Sequence, residues 1–285
     1  MTTDVSSSPN SAEQILIDEL YAAVQAGKKI DDLSSSEATA IEQSIAGLDS
    51  GKNRVCEKIA GAYVTHEWLK KAILLYFRLK KMSTIQAGDL QFFDKIPLKS
   101  WTAEMGVRVV PHAIARYGSY IDRGAILMPS YVNIGARVGA GSMVDTWATV
   151  GSCAQVGDNV HLSGGVGLGG VLEPVQAKPV IIENNCFIGS RCIIVEGALI
   201  EEGAVLGAGV TITASTKIID VTGPSPITFQ AFVPKNSVVI PGTLNKKFPA
   251  GEFGTPCALI IGKRKESTDL KTSLTEALRD HQVSI

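Results

Sequence analysis

The feature that most constrains the fold of this chain is a six-residue repeat between residues 114 and 218. A large apolar residue begins each unit, and after a glycine-rich interruption the same spacing resumes. These first-position residues are Ile114, Tyr120, Ile126, Val132, Val138, Val144, Val150, Val156 and Leu162, followed by Ile182, Ile188, Ile194, Ile200, Leu206, Ile212 and Ile218. Neither an α-helix nor an alternating strand has a period of six, whereas a parallel β-helix does.

The other positions of the unit support the same interpretation. The fifth residue is usually small, as at Ala136 and Cys186, and the fourth is often glycine or asparagine, which suits a bend with positive φ. Three units, about 18 residues, close one triangular coil, and stacked coils bury the first-position side chains. The sequence therefore predicts a mainly β protein built on a parallel β-helix.

The chain before the repeat predicts helices. Apolar residues at helical spacing indicate helices over 11–29, 36–48 and 66–82, and Thr65 is the expected N-cap of the last. We expect residues 1–10 to be disordered, and we assign residues 1–105 to a small N-terminal helical domain.

The repeat region predicts a hexapeptide β-helix over residues 106–245. The register breaks at 163–180 and at 219–232, which we interpret as loop excursions from the coil. Leu168 keeps the six-residue phase, so part of the first can remain in the coil, and the second is expected to be a hairpin or a loop. The remaining residues, 246–285, predict a cap formed by a strand over 256–262 and a helix over 267–280, because a β-helix has an open end that needs covering.

The first excursion contains the glycine-rich run GVGLGG, which is similar to a dinucleotide-binding loop. Glu173 and Pro174 follow where such a loop would start its helix, and no βαβ pattern surrounds it. We interpret the segment as a loop over a site or as a plain surface loop.

Composition narrows the class of protein. The formal net charge of −1 gives no general attraction to nucleic acid, and the longest apolar helical run, 72–79, is too short to span a membrane. The N-terminus lacks an apolar signal segment, and the five cysteines form no CxxC pair. We therefore expect a cytoplasmic protein with reduced thiols and with neither a nucleic-acid nor a membrane partner.

Parallel β-helices serve several chemistries, so the fold alone does not assign one. A metal-dependent lyase of the γ-carbonic-anhydrase type needs several convergent histidines, but only His112 and His161 lie in or beside the repeat. A nucleotidyltransferase needs a preceding α/β nucleotide domain, and the first 105 residues hold no such pattern. Acyl-CoA-dependent transfer and a purely structural oligomer remain.

Specific segments resemble one family. RVVP at 108–111, the run MPSYVNIGARVGAGSMVDTWATVGSCAQVGDNVHLSGGVGLGGVLEP at 128–174, and IIENNCFIGSR at 181–191 followed by VEG closely resemble the 2,3,4,5-tetrahydropyridine-2,6-dicarboxylate N-succinyltransferases. Residues 49–79 resemble the helical domain of the same family, so the resemblance extends over about residues 48–262.

This resemblance implies a homotrimer of left-handed β-helices with active sites between neighbouring subunits. It implies succinyl-CoA as co-substrate and neither a permanently bound cofactor nor a metal. The reaction it implies moves a succinyl group to the amine of tetrahydrodipicolinate in the succinylase branch of diaminopimelate and lysine biosynthesis. N-acetyl transfer to the same or a related amine is the alternative within the class, and a non-catalytic β-helical trimer is the alternative outside it.

Two residues are the leading site candidates. Asp145 follows the inward Val144 and so points outward from the coil, on a strand where aspartate has poor propensity. Spacing alone fits a solvated turn charge equally well, but the resemblance matches Asp145 to the substrate-contacting aspartate of VDTWATVG. Arg108 likewise matches a substrate-contacting arginine in RVVP, where a guanidinium can bind a carboxylate with two hydrogen bonds.

Weaker candidates follow from the same resemblance. Arg191 and Glu196 lie in the matching GSRCIIVEG segment, where Ile193 stands at a position that relatives commonly fill with an acidic residue. Proton transfer is therefore predicted to involve Asp145 or Glu196, or to need no strong base. His161, at the end of a unit, is interpreted as a satisfied edge histidine rather than as the base.

The CoA moiety is expected along the later coils. Its pantetheine arm can bond to exposed backbone beside the small residues Ala208, Gly209 and Ala214. Its phosphates favour basic side chains, of which Lys217 and Lys235 are candidates, although for each lysine taken singly a solvated surface charge is the favoured interpretation.

Overall fold

The computed structural model of the chain describes residues 11–264 and Leu278. The disorder predicted for residues 1–10 lies outside these residues, as does the helix predicted over 267–280, apart from Leu278, which is helical. Within the described part of the chain, no helix is both long enough and apolar enough to cross a lipid bilayer.

Three α-helices form the core of the N-terminal segment: α1 (Ala12–Gln25), α2 (Ser35–Ser50) and α3 (Glu67–Leu79). Ser11 caps α1, and Ser34 forms a capping box with Glu37 at the start of α2, so both helices begin within a residue of their predicted starts. Two short 3₁₀ helices occupy Ile30–Asp32 and Ala103–Met105.

The start of α3 differs from the prediction. His66, not Thr65, is the N-cap, and its ring bonds Glu57 at 2.7 Å instead of capping the helix. Thr65 ends a β-hairpin of strands Cys56–Ile59 and Ala62–Thr65, joined by a tight turn of positive φ at Ala60 and Gly61.

A second hairpin in the N-terminal segment was also missed. Its strands are Ser83–Ala87 and Leu90–Asp94, and Gly88 in its turn has positive φ. The N-terminal segment is therefore mixed α and β rather than purely helical.

The hexad repeat forms a triangular prism with three parallel faces, numbered here in chain order. The first face contains Arg108–Val109, Ile126–Leu127, Met143–Val144, His161–Leu162, Phe187–Ile188 and Val205–Leu206, and continues into Ser237–Phe248. The second contains Ile114–Ala115, Tyr131–Val132, Thr149–Val150, Gly167–Leu168, Ile193–Ile194 and Thr211–Ile212. The third contains Tyr120–Ile121, Arg137–Val138, Gln155–Val156, Ile181–Ile182, Leu199–Ile200 and Phe232–Val233.

The interior of the prism follows the predicted pattern from Val132 onward. First-position aliphatic residues and the small fifth-position residues are buried together in one continuous core. The three earlier first positions are wrong: Ile114, Tyr120 and Ile126 point outward, and Ala115, Ile121 and Leu127 fill the interior instead. Leu127 and Val132 are only five residues apart, and a slip of one residue exchanges the two sides of every earlier strand.

The structure confirms two features predicted for the excursions, the place of Leu168 in the coil and the hairpin form of the second. Gly167–Leu168 pairs with the strands below and above it, so the first excursion leaves the coil only after Leu168 and returns at Ile181. The second is a hairpin of Lys217–Asp220 and Ile227–Gln230, after which Phe232–Val233 rejoins the third face.

The end of the prism carries a long antiparallel hairpin of Ser237–Phe248 and Gly251–Lys263. The boundary predicted at 245/246 therefore falls inside a single strand, and the strand predicted over 256–262 is the second half of a longer one. Outside the upper first face, Phe187 and Val205 pack with residues of this hairpin and contact Leu278.

The N-terminal segment packs on the third face and on the edge between the second and third faces. Ile134 and Cys153, at that edge, belong to the hydrophobic core of α1–α3. Lys99 is almost fully buried and bonds the Asp49 carboxylate at 2.8 Å and the Ser119 carbonyl at 3.0 Å. The segment thus covers the third face of the prism and the edge between its second and third faces.

Candidate active site

The leading candidate, Asp145, lies where the chain turns from the first face to the second. We call this corner the first edge; the second edge joins the second and third faces, and the third edge joins the third and first. Coils stack at the first edge through backbone bonds from Gly165 to Thr146 (2.9 Å), from Arg191 to Gly164 (3.1 Å) and from Gly209 to Ser190 (3.0 Å). Residues of four successive coils therefore form one continuous column.

The Asp145 carboxylate is held by its neighbour in the chain. The Thr146 backbone N–H donates to Oδ1 at 2.6 Å, and the Thr146 hydroxyl donates to the same oxygen at 3.2 Å. The side chain is about one-third exposed, and Val144 before it is fully buried. The outward orientation predicted for Asp145 is confirmed, and its second oxygen, Oδ2, is left to face the outer surface of the first face.

His161 meets this second oxygen. It occupies the outward position of the first face one coil above Met143, and its Nε2 lies 3.9 Å from Asp145 Oδ2. Its ring stacks on Phe187 with centroids 5.2 Å apart and planes inclined by 28°. Because Phe187 is buried and packs with Val205 and with side chains of the terminal hairpin, the stack restrains the imidazole beside the carboxylate.

Arg191 lies on the same edge, above Asp145. A Cβ added to Gly165, one coil below, would come within 2.6 Å of Arg191 Cδ, so the arginine side chain lies across the glycine. Glycine at this corner, with φ of 70°, allows that close approach. The guanidinium thus extends along the edge toward the coil of Asp145.

Arg108 begins the outward column of the first face. It is exposed, and it precedes Ile126, Met143 and His161 in that column. Adjacent strands are about 4.8 Å apart, so Arg108 and Met143 are separated by about 10 Å along the prism. A molecule spanning two strand spacings can contact both Arg108 and Asp145.

The remaining candidates divide among the three edges. Ala208 and Gly209 share the first edge with Asp145, and Gly209 opens to free space. Glu196 and Ala214 lie on the second edge, where the Glu196 carboxylate accepts a bond from the Ala214 N–H at 3.0 Å. Lys235 lies on the third edge and bonds Glu202 at 2.8 Å, and Lys217 begins the strand that leaves the coil.

Comparison with known proteins identifies the family. A relative from Acinetobacter baylyi named 2,3,4,5-tetrahydropyridine-2,6-dicarboxylate N-succinyltransferase is 55% identical over 84% of this chain and 89% of its own. One of the same name from Sodalis glossinidius is 52% identical over 87% of this chain and 91% of its own. This chain belongs to the 2,3,4,5-tetrahydropyridine-2,6-dicarboxylate N-succinyltransferase family.

Family models agree in two parts of the chain. The model described as “Tetrahydrodipicolinate N-succinyltransferase N-terminal” matches residues 13–79, which include all of α1 but its first residue and the whole of α2 and α3. The model described as “Hexapeptide repeat of succinyl-transferase” matches residues 179–214, which supply two coils of the prism. The family resemblance of the sequence is therefore confirmed in the helical segment and in the repeat.

Solved structures support the fold. A putative 2,3,4,5-tetrahydropyridine-2-carboxylate N-succinyltransferase from Campylobacter jejuni superposes with a TM-score of 0.50 at 17% identity. The superposition covers 78% of this chain and 62% of that one, so less than two thirds of its length. Together with the hexapeptide match, this supports a left-handed parallel β-helix, as the sequence predicted for an N-succinyltransferase.

Two neighbours of Asp145 in this chain were not predicted from the sequence. Thr146 lies within the VDTWATVG block but was not assigned to the site, and His161 was interpreted as a plain edge residue. The signal for His161 was present in the coil length, because it follows Met143 by 18 residues, or three units. One full coil places it directly above Met143 and beside Asp145.

Proposed function

We propose that this protein transfers the succinyl group of succinyl-CoA to the amine of tetrahydrodipicolinate, in its 2-amino-6-oxopimelate form, and releases CoA. The reaction belongs to the succinylase branch of diaminopimelate and lysine biosynthesis. The observation that carries the proposal is the high identity to named N-succinyltransferases over nearly the whole chain. An oriented carboxylate on an open edge of the prism is the matching chemical feature.

Asp145 binds the amino group of the acceptor. Two donors of Thr146 bind Oδ1, so Oδ2 is directed to the surface where the amine arrives. The amine nitrogen, once deprotonated, attacks the thioester carbonyl carbon; the C–N bond forms and the C–S bond breaks. CoA leaves as the thiolate and takes up a proton.

Arg108 and Arg191 bind the carboxylates of the dicarboxylate acceptor. Arginine suits this role because its planar guanidinium can donate two parallel bonds to one carboxylate. Arg108 lies on the outer column of the first face and Arg191 on the first edge, on opposite sides of Asp145 along the prism. This arrangement separates the two anionic ends of the acceptor and places its amine between them.

The active site forms between two subunits of a homotrimer. The candidate residues occupy different edges of one prism, and an edge-to-edge side of six residues spans up to about 20 Å. Residues on separate edges of one chain cannot converge on one small molecule, whereas edges of two neighbouring copies can. The exposed apolar side chains of Trp147 on the first edge and Ile193 on the second face support an interface there.

Succinyl-CoA extends along the later coils. Ala208 and Gly209 continue the column of Asp145, so a pantetheine arm bound there would bring its thioester toward the carboxylate. Ala214, Lys217 and Lys235 lie off this edge and would reach the same CoA from a neighbouring copy. Lys235 would exchange an exposed ion pair with Glu202 for a phosphate, and such pairs contribute little.

Glu196 acts as a structural cap in this proposal rather than as the base, because its carboxylate already accepts a backbone bond on the second edge. No permanently bound cofactor or metal takes part. The five cysteines are all free and buried, which supports a reducing, cytoplasmic location.

The decisive experiment is a thiol-release assay with purified protein. Succinyl-CoA and acetyl-CoA are each supplied with and without the acceptor, and the product is identified by mass. We expect acceptor-dependent CoA release with succinyl-CoA and little with acetyl-CoA. Preference for acetyl-CoA would establish an N-acetyltransferase, and no release with either would leave a non-catalytic assembly.

A further inference from the structure

We propose that His161 is the residue that takes the proton from the acceptor amine, while Asp145 holds that amine in place as an ammonium ion. This inference rests on the proposed function and deepens it, because it assigns the base of the same site. It departs from the sequence interpretation of His161 as a satisfied edge residue.

The two side chains are placed to share one ligand atom. Asp145 Oδ2 and His161 Nε2 are 3.9 Å apart, which exceeds the reach of a direct hydrogen bond. For an amine nitrogen about 2.9 Å from both atoms, the angle between Oδ2, the nitrogen and Nε2 would be about 85°. This angle is close enough to the ~109° between N–H bonds for both hydrogen bonds to form. Both side chains are about one-third exposed on the outer surface, so the amine can reach them.

Each residue is fixed by a separate restraint. Thr146 holds Oδ1 of Asp145 with its N–H and its hydroxyl, and the stack on Phe187 holds the His161 ring. The backbone supports the same register, because the Asp145 N–H donates to the Leu162 carbonyl at 2.9 Å. Such prior placement of the groups that bind a reacting atom is what proton transfer in an active site requires.

The general pKa values of imidazole and carboxylate groups favour different roles for His161 and Asp145. An α-ammonium group has a pKa of about 8, an imidazole about 6.5 and a carboxylate about 4 in general. Imidazole is thus the better acceptor for the proton, and a carboxylate that stays ionised is the better electrostatic partner for the ammonium. No other charged group of the site is needed for this step.

Atoms and electrons balance in this proton transfer. The N–H bond of the acceptor ammonium breaks, and its proton forms a bond to His161 Nε2, which releases it to solvent. The freed lone pair attacks the succinyl carbonyl carbon, and the nitrogen of the resulting tetrahedral intermediate gives a second proton to His161 Nε2. The carbonyl re-forms, the C–S bond breaks, and the imidazolium gives this second proton to the CoA thiolate. The histidine ends neutral, one proton has passed to solvent, and no further reactant is required.

The test compares two matched substitutions in the full-length protein, His161→Asn and His66→Asn. Asparagine retains a polar atom near the Nδ1 position and removes Nε2 at both places, and His66 lies in the N-terminal segment, where its ring bonds Glu57. General base catalysis contributes roughly 10²- to 10⁴-fold, so we expect His161→Asn to lower kcat by about 100-fold or more with little change in the KM of the acceptor. His66→Asn should match the wild type in kcat.

A second measurement separates chemistry from structure. Imidazole added to His161→Ala should raise its rate of CoA release, and imidazole added to wild-type protein should not. A kcat for His161→Asn within twofold of wild type would overturn the inference, as would a loss that appears mainly in KM and resists imidazole. If His161→Asn does not fold, as judged by thermal unfolding, His161→Gln takes its place. Absence of acyl transfer by the wild type would refute the proposed function instead.

Discussion

The third face and the first edge of the prism differ in how their outward residues are used. On the third face and its margins, outward polar groups bond the N-terminal segment: Arg54 donates to Gln155 at 2.9 Å, and Lys58 and Tyr63 donate to Glu183 at 2.8 Å and 2.6 Å. On the first edge Trp147 is 68% exposed, and on the adjoining second face Ile193 is 47% exposed.

The two regions share one interior, so the difference lies wholly in the outward positions of the repeat. From Val132 onward, the inward residues of every face obey the same rule of large first and small fifth positions. Outward residues are free of that rule, so one side could be matched to a covering segment and another to ligands and a second copy. We call the third face with its margins the covered side, and the first edge with the adjoining faces the open side. We expect substitutions on the covered side to change stability and substitutions on the open side to change activity.

The largest expected effect is on the open side, from Asp145→Asn. The substitution keeps the size of the side chain and leaves the ammonium without its charged partner, so kcat/KM should fall by about 10²- to 10⁴-fold. Thermal unfolding should be unchanged. Asp158→Asn is the matched control, because Asp158 is exposed on the third edge and accepts a bond from the Ala140 N–H. Near-wild-type kcat/KM for Asp145→Asn would contradict the expectation that substitutions on the open side change activity.

The next largest effect is on the covered side, from Lys99→Met. Lys99 has an exposed side-chain fraction of only 2%, and its removal leaves Asp49 without the buried cation that it pairs with. Breaking one partner of a buried ion pair costs about 3–5 kcal/mol, which urea denaturation would measure. Lys81→Met is the control, since its 3.8 Å pair with Asp31 is largely exposed and should contribute little. A lower kcat in folded Lys99→Met protein would contradict the expectation that substitutions on the covered side change stability and not activity.

A smaller effect on the open side is expected from Arg108→Ala. Loss of a charged hydrogen bond to a substrate carboxylate costs about 1.5–3 kcal/mol, so the KM of the acceptor should rise roughly 10- to 100-fold. The KM of succinyl-CoA should not change. Arg108→Lys keeps the charge but not the planar fork, and it should give an intermediate value. An unchanged acceptor KM in Arg108→Ala would show that Arg108 does not bind the acceptor.

The smallest effect expected is on the covered side, in the pH dependence of stability. Burial raises the pKa of Glu183, but bonds from Lys58, Tyr63 and the Glu202 N–H outweigh it and hold the pKa below the usual 4.5. Because the pKa of the Glu183 carboxyl is lower in the folded chain than in the unfolded chain, its ionised form stabilises the fold at pH above 4.5. This contribution to stability is lost as the pH falls through the lowered pKa.

Glu183→Gln should remove that acid-dependent part of the stability. Urea midpoints recorded between neutral pH and pH 3 would compare the variant with the wild type. The wild type should lose more stability than Glu183→Gln over the acid range. Parallel curves for the two proteins would show that this contact between the covering segment and the prism contributes no such dependence.

Much of the prism could be predicted because its rule is local. Each inward position from Val132 to Ile218 follows from spacing alone, since one side chain type recurs every six residues. The rule failed at Ile114, Tyr120 and Ile126, where a five-residue unit shifts the register and both neighbouring residues are apolar enough to fit either side. The hairpins of the N-terminal segment were missed because their strands are short and their turns lack the strongest turn dipeptides.

The candidate site was predictable in part. The family resemblance selected Asp145 as a site residue. The six-residue register predicted that its side chain faces outward. The partners of Asp145 were not predicted, since Thr146 acts through one side-chain rotamer and His161 through a neighbour in another coil. The first excursion was expected over a site or on the surface, and it is a surface loop at the second edge, where Lys70 donates to the Ala177 carbonyl at 2.6 Å.

By itself the sequence determined the parallel β-helix, the inward residues of most coils and the family, because a repeat and a distinctive motif are both properties of the chain alone. The tertiary structure decided which side of the prism the N-terminal segment covers and which residues of different coils meet at the first edge. Those outcomes depend on stacking across 18 residues and on packing between distant segments. Asp145 and His161 meet because one coil brings them together, at a separation that only the folded chain defines.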